Sequence, residues 1–316
     1  MTTAQFTAET NAAGAFVRQE YTIRDRITAD GSSGFPAEAG RYHLYVSLAC
    51  PWAHRSIIVR RVLGLESVIS LSVVDPVRDE RGWAFRSGPG YTPDPVNGFA
   101  FLSEAYLRTD PTYTGRYTVP CLWDRVGGRL VTNNYPDITL DLETQFRALQ
   151  RPDAPDLYPA ALREEIDAIN ALVYTDVNNG VYKAGFATSQ ASYEAAVDRL
   201  FARLDWLEAR LAGQRFLVGP QLTEADVRLF TTLVRFDAVY YGHFKCNLRR
   251  LVDYPHLWGY ARDLYAQPGF GDTVDFDHIK RHYYLTHDKI NPNRIVPKGP
   301  LVDWTAPQDR ATVGAR

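Results

Sequence analysis

From Arg41 onward, apolar and polar residues alternate in patterns that predict regular elements. "RYHLYVSLA" is a short apolar run with β-branched and aromatic residues and predicts a strand. Pro51 to Leu63 places Ile57, Ile58, Val62 and Leu63 at helical spacing, and "SVISLSVVD" predicts a second strand, giving a βαβ unit. Periodicity then lapses between Pro76 and about Gly115, a Gly/Pro-rich stretch that carries Trp83, Phe85, Pro89, Pro93 and Pro95. A connection of that length inside a compact domain is usually functional or disordered, and its aromatics favour function. "YTVPCLWD" and "RLVTN" flank Arg125-Val126-Gly127-Gly128, a β-hairpin signature in which glycines supply the positive φ of the turn. Pro136 to Gln150 predicts a helix that closes this first domain.

"RPDAPDLYPA", residues 151–160, is Pro-rich and marks a boundary. Most of the chain beyond it has helical spacing. "SYEAAVDRLFARLDWLEARL" puts Tyr193, Val197, Leu200, Leu204, Leu207 and Leu211 on one face. In "LTEADVRLF", Thr223 is a good N-cap and Asp226 can complete a capping-box arrangement. Residues 1–40 are polar and rich in turn formers, an extension to which no chemistry is assigned. The expected organisation is therefore an extension over 1–40, an α/β domain over 41–150, and an all-helical domain with a C-terminal extension over 160–316.

A chain of 316 residues is long enough for two cores. Its formal charge is −2 and its Lys and Arg are scattered rather than massed, which supplies no basic face for nucleic acid or an anionic membrane. No signal peptide or membrane-spanning run is read, and small molecules or proteins are the expected partners. Three widely spaced cysteines, Cys50, Cys121 and Cys246, do not make a disulfide framework, so a reducing cytoplasm is the expected compartment.

Cys50 stands at the seam between strand and helix, immediately before Pro51, whose fixed φ and missing N–H suit the first helical position. The thiol is then expected at the N-cap, facing amides that favour a thiolate, with His54 and Arg55 one turn on. The plain alternative is a small apolar filler at a strand end. A second cysteine at Ala53 would make a dithiol site; without it, Cys50 must form a mixed disulfide that an external thiol resolves. Val119-Pro120 opens an apolar strand, which suits either an edge proline or a cis bond turning the backbone toward a ligand. His278 and His282 are four apart, but no third ligand accompanies them, so no metal site is expected.

"CPWAHR", "GWAF", "DPTYTGRYTVPCLWD", "NNGVYKAGFATSQ", "TEADVRLFTTLVRFDAVYYGHFKCNLRR", "YPHLWGYARDLY" and "DHIKRHYYLTH…INPNRIVPKGP" together resemble the xi-class glutathione transferases, the glutathionyl-hydroquinone reductases. The resemblance implies a thioredoxin-like N-terminal domain followed by an all-helical transferase domain. It also implies reductive removal of a thiol from a quinol conjugate, with Cys50 as nucleophile. By the same resemblance Trp83 stacks on the bound thiol, the Val119 backbone ahead of Pro120 pairs with its peptide part, and Arg116 fixes its charge. Tyr182 and Tyr283 match tyrosines that hydrogen-bond the substrate hydroxyls, with Tyr284 competing for the second role. A homodimer is implied as well.

One run departs from the family pattern. Glutathione-using members carry a "NESS"-like sequence after the hairpin, where this chain has "TNNYPDI". Asn134 then replaces the acidic residue, and Tyr135 and Pro136 the serines, that hold a γ-glutamyl group; Asp137 is a possible substitute for the acid. The co-substrate is therefore either glutathione or another low-molecular-weight thiol such as mycothiol. Two rival functions stand beside the enzyme: a ligand-binding protein of transferase fold, and a glutaredoxin-like reductase of mixed disulfides.

Overall fold

The computed structural model describes residues 9–314. Among these, four strands, β1 (Tyr42–Val46), β2 (Ser70–Val73), β3 (Cys121–Asp124) and β4 (Arg129–Thr132), accompany nine α-helices. The helices are α1 (Pro51–Val62), α2 (Leu102–Thr109), α3 (Tyr135–Thr144), α4 (Arg163–Val173), α5 (Gly180–Gly185), α6 (Gln190–Gly213), α7 (Glu224–Arg235), α8 (Pro255–Ala266) and α9 (Phe276–Thr286). Two compact units emerge. One holds Gln19–Pro155 together with Asp277–Thr286; the other holds Asp156–Phe276, the described residues up to Arg18, and the chain from His287 onward.

In the first unit the strands form one sheet in the order β2-β1-β3-β4, with β1 and β2 parallel and the other pairs antiparallel. This is the expected thioredoxin-like arrangement. β1 is buried along its whole length, which is why it reads as a near-continuous apolar run rather than an alternating one. α1 is buried from Pro51 through Val59, so its apolar stripe is only part of what it hides. In the hairpin, Gly128 alone has positive φ, at 62°. Gly127 is needed for space instead, since a Cβ there would lie 2.8 Å from an Asp124 carboxylate oxygen.

The stretch from Pro76 to Gly115 contains a helix that the sequence pattern does not announce. α2 is short, and Phe101 precedes it without a capping side chain; Glu104 reaches back to the amides of Ala100 and Phe101, both at 2.8 Å. Upstream of the sheet, residues 23–25 run along the outer edge of β4, with Asp25 N donating to Val131 O (3.1 Å) and Asn133 N to Ile23 O (3.0 Å). They cover an edge that would otherwise be open to pairing.

The helical unit is built on α6 and α7. Ser189 caps α6 by accepting from Ser192 N, and Val197, Leu200, Leu204, Leu207 and Leu211 are buried as the spacing requires. Tyr193 is half-buried and donates its hydroxyl to Lys245 O at 2.7 Å. At α7, Asp226 accepts from Thr223 N (2.9 Å), Leu217 N (2.8 Å) and the Tyr260 hydroxyl (2.8 Å), so the expected box ties three segments together. Two π turns interrupt the helical ladders. Asn179 N reaches Tyr174 O (2.9 Å) between α4 and α5, and Tyr241 N reaches Phe236 O (2.8 Å) after α7. Among the described residues no helix is long and apolar enough to cross a membrane.

Candidate active site

Strand β1 delivers the chain to Ser47, a tight turn follows with Cys50 N donating to Ser47 O (3.1 Å), and α1 starts at Pro51. Cys50 is the N-cap, in extended backbone conformation (φ −79°, ψ 120°). Its side chain makes no capping hydrogen bond. The Sγ–H instead donates to Val119 O at 3.4 Å. The sequence expectation had the sulfur facing the helix amides; a protonated thiol is a donor, however, and amides cannot accept from it. His54 and Arg55 are both buried, and the Arg55 guanidinium lies over the rings of Trp52 (4.7 Å) and Tyr135 (5.0 Å).

The Val119-Pro120 peptide bond is cis. Both residues are buried at the head of β3, and the Val119 amide has no hydrogen-bond partner among the described residues. The structure thus brings Cys50, Val119 and Pro120 together at the junction of α1 and β3. Arg116 is half-buried on the segment leading there, and its carbonyl accepts from the Tyr113 hydroxyl at 3.0 Å.

The other two thiols are different. Cys121 and Cys246 are fully buried, and burial pushes the pKa of each far upward. Cys50 retains 9% of its surface.

Trp83 lies on the long loop, 4% exposed, with His282 stacked on it at 5.0 Å and the Arg78 guanidinium 5.0 Å from its ring centre. Tyr283, on α9, is 1% exposed, whereas Tyr284 is half-buried, and burial raises the Tyr284 phenol pKa. Tyr182 belongs to the helical unit. It packs among Phe16, Phe186, Tyr240 and Phe244, with centroids 5.4–6.4 Å away. Arg18 lies over its ring at 4.9 Å and is held there by Nε donating to Asn179 Oδ1 at 2.8 Å. Arg18 falls in the stretch to which the sequence assigned no chemistry, and an arginine among turn formers gives no signal of its own.

The "TNNYPDI" run starts α3. Asn134 Nδ2 donates to Asp137 Oδ2 (2.6 Å), and Asp137 also faces Arg26 at 3.4 Å and Arg24 at 3.9 Å. Tyr135 is buried against Trp52 at 4.7 Å. Among the described residues no group of three or more His, Cys, Asp or Glu is arranged to hold a metal. His278 and His282 donate instead to loop carbonyls.

Comparison with known proteins gives a consistent picture. Residues 49–145 match the glutathione S-transferase N-terminal domain family and residues 190–263 the C-terminal domain family. The chain is 50% identical over 304 residues to the glutathionyl-hydroquinone reductase YqjG of Escherichia coli K12, covering 94% of this chain and 92% of that one. A glutathione-bound structure of YqjG superposes with a TM-score of 0.89 over 92% of this chain and 96% of the other, at 50% identity. The xi glutathione transferase of Phanerochaete chrysosporium superposes with a TM-score of 0.91 over 95% and 97% of the two chains, at 49% identity. With the family models, the relatives, the sheet order and the helical unit in agreement, the chain belongs to the xi class of glutathione transferases, the glutathionyl-hydroquinone reductase family of enzymes.

Proposed function

We propose that this enzyme removes a thiol reductively from hydroquinone conjugates, with Cys50 as nucleophile. The observation that carries the reading is the position of Cys50, buried but for 9% of its surface at the N-terminus of α1 and beside the Val119 main chain. Loss of the Sγ proton turns sulfur from a donor into an acceptor. The bond to Val119 O then has no proton, while the first-turn amides and the helix dipole favour the anion.

The thiolate attacks the sulfur of the conjugate. An S–S bond forms, the ring C–S bond breaks, and the ring carbon takes up a proton as the hydroquinone leaves. A second thiol then attacks the mixed disulfide, regenerating Cys50 and leaving as a symmetric disulfide, so the two electrons come from thiol. Tyr182 and Tyr283, with Tyr284 as the alternative, supply phenol groups that hydrogen-bond the quinol oxygens and assist proton transfer. Trp83, Arg116, Val119 and Pro120 form the thiol subsite, where the partnerless Val119 amide suits a peptide-like group.

Glutathione is the first reading for the thiol, supported by the names of the relatives. The "TNNYPDI" run favours a second, a thiol without a γ-glutamyl group such as mycothiol. Asn134 and Asp137 are engaged with each other, Asp137 also faces two arginines, and Tyr135 is packed away, so none presents the acid-and-hydroxyl pair that a γ-glutamyl end needs. Action as a cytoplasmic homodimer completes the proposal, on the strength of the family resemblance.

The test is to trap the intermediate. Wild type and Cys50→Ala are incubated separately with glutathionyl- and mycothiol-hydroquinone, and the adduct is read by intact mass and the released quinol by chromatography. Adduct on wild type from one conjugate only names the thiol. No adduct and no quinol from either conjugate sinks the proposal.

A further inference from the structure

Two histidines one turn apart on α9 each donate a ring N–H to the same long loop. His278 Nε2 lies 2.7 Å from Pro89 O, and His282 Nδ1 lies 2.8 Å from Pro76 O. A carbonyl oxygen can only accept, so in each ring the nitrogen that faces it carries the hydrogen. The same rings make aromatic contacts. His282 stacks on Trp83 at 5.0 Å and 20°, and His278 meets Tyr91 edge-on at 5.6 Å and 68°. α9 therefore grips the loop at Pro76, Trp83, Pro89 and Tyr91.

The main chain around Trp83 is fixed from elsewhere. Leu102 N, at the start of α2, donates to Trp83 O; Phe85 N donates to Ala100 O, and Asp75 N to Ala84 O, all at 2.9 Å. Backbone bonds set where the residue sits, but they leave the plane of the indole open. His282, stacked on the ring, supplies that second constraint together with the Arg78 guanidinium 5.0 Å from the ring centre, and His282 also ties the loop to α9. A purely space-filling contact is met by any apolar side chain; two directed donors to carbonyls thirteen residues apart in sequence specify the register of the loop on the helix. Tyr283 is the next residue after His282, so the same helix that sets the indole also carries a phenol of the proposed quinol site.

We propose that His282, backed by His278, is a positioning residue for the thiol co-substrate: it orients the Trp83 indole and locks the Trp83 loop to the helix that bears Tyr283. The inference rests on the reading that Trp83 packs against the bound thiol.

The experiment measures the KM for the thiol and kcat at saturating quinol conjugate, using whichever thiol the trapping experiment identifies. His282→Phe keeps a ring and removes the donor, and His282→Asn keeps a donor near Nδ1 and removes the stacked ring. His278→Ala removes the second donor, which His278→Gln restores near Nε2, and Trp83→Ala tests the underlying reading. Leaving a buried carbonyl unsatisfied predicts a rise in thiol KM of about tenfold for His282→Phe, with kcat within about twofold. Trp83→Ala raises KM at least as much. His282→Asn and His278→Ala raise it several-fold, and His278→Gln returns it toward wild type. If Trp83→Ala raises the KM while His282→Phe and His282→Asn leave it unchanged, or lower kcat alone, the positioning role is overturned. If Trp83→Ala itself leaves the KM unchanged, the thiol-stacking reading has failed, and the inference falls with it. Should His282→Phe not fold, His282→Asn and the His278 pair decide the question by the same readout.

Discussion

Cys50, just beyond β1, and Cys121, the first residue of β3, lie close to one sheet but in different backbone settings. Cys50 follows β1, and Cys121 opens β3, which pairs with β1 so that Tyr45 stands opposite Cys121. Both come out of apolar sequence, and each has proline beside it. After Cys50 the chain turns into a helix, leaving the residue at an N-cap with some of its surface open. After Pro120 the chain continues as strand, and Cys121 is sealed between neighbours that offer it no charge, so its thiol pKa moves up. The difference lies less in how apolar the surroundings are than in what the backbone does next. A helix start presents amides to a forming anion; a strand interior spends its amides on the ladder.

The sharpest way to break this contrast is substitution of both thiols. Cys50→Ala should lower turnover at least about 10³-fold, whereas Cys121→Ala should leave kcat/KM within a few-fold. Comparable losses in the two would mean that position, not thiolate chemistry, is being measured. Iodoacetamide labelling followed by peptide mapping gives the matching chemical readout, with Cys50 modified in the folded protein and Cys121 and Cys246 modified only after denaturation.

The strand interior should refuse charge of either sign, and His43 on β1 tests that. It is buried between the Ser70 and Ser72 hydroxyls at 2.7 and 2.8 Å, and burial pushes its pKa down to about 4 from 6.5. Between those values the unfolded chain binds a proton that the folded chain does not. Stability contributed by neutral His43 is therefore full above about 6.5, falls as pH drops, and levels off below about 4, a loss of roughly 3 kcal/mol across the window. Urea midpoints at pH 7 and pH 4.5 should show a smaller acid loss in His43→Gln than in wild type, and an equal loss would argue that His43 is not held neutral.

The smallest effect separates the cysteines by polarity. Cys121→Ser places a hydroxyl in a sealed apolar position and should cost about 1–3 kcal/mol, against under about 1 kcal/mol for Cys50→Ser, both from urea denaturation. Equal costs would show that the two environments differ less in solvation than their exposures imply.

How much of this could be read from the residues depends on whether a feature is local. The β1-Cys50-Pro51-α1 junction is written in consecutive residues, and so are the hairpin and the amphipathic face of α6. α2 was lost because it is only eight residues long and its N-terminus is held by Glu104 rather than by a capping residue in front of it. Arg18 was lost because its partners, Asn179 and Tyr182, lie more than 160 residues away. The pairing of His278 and His282 on one face was legible from their spacing; the carbonyls that receive them were not. Nor does sequence distinguish a buried Tyr283 from a half-buried Tyr284, since that depends on how α9 is rotated against its neighbours.

The π turns at 174–178 and 236–240 carry a consequence of their own. Each holds one residue more than a regular turn, and one residue in a helix is a rotation of about 100°. Tyr182 and Tyr240, which meet in one aromatic cluster, follow or close these turns. Each tyrosine therefore reaches the cluster through a phase shift rather than through its place in a continuous stripe. A single deletion between 174 and 178 would leave composition, helix content and hydrophobicity nearly untouched, yet would swing Tyr182 about a quarter-turn away from Arg18 and Phe16. For this part of the chain, counting residues matters more than choosing them.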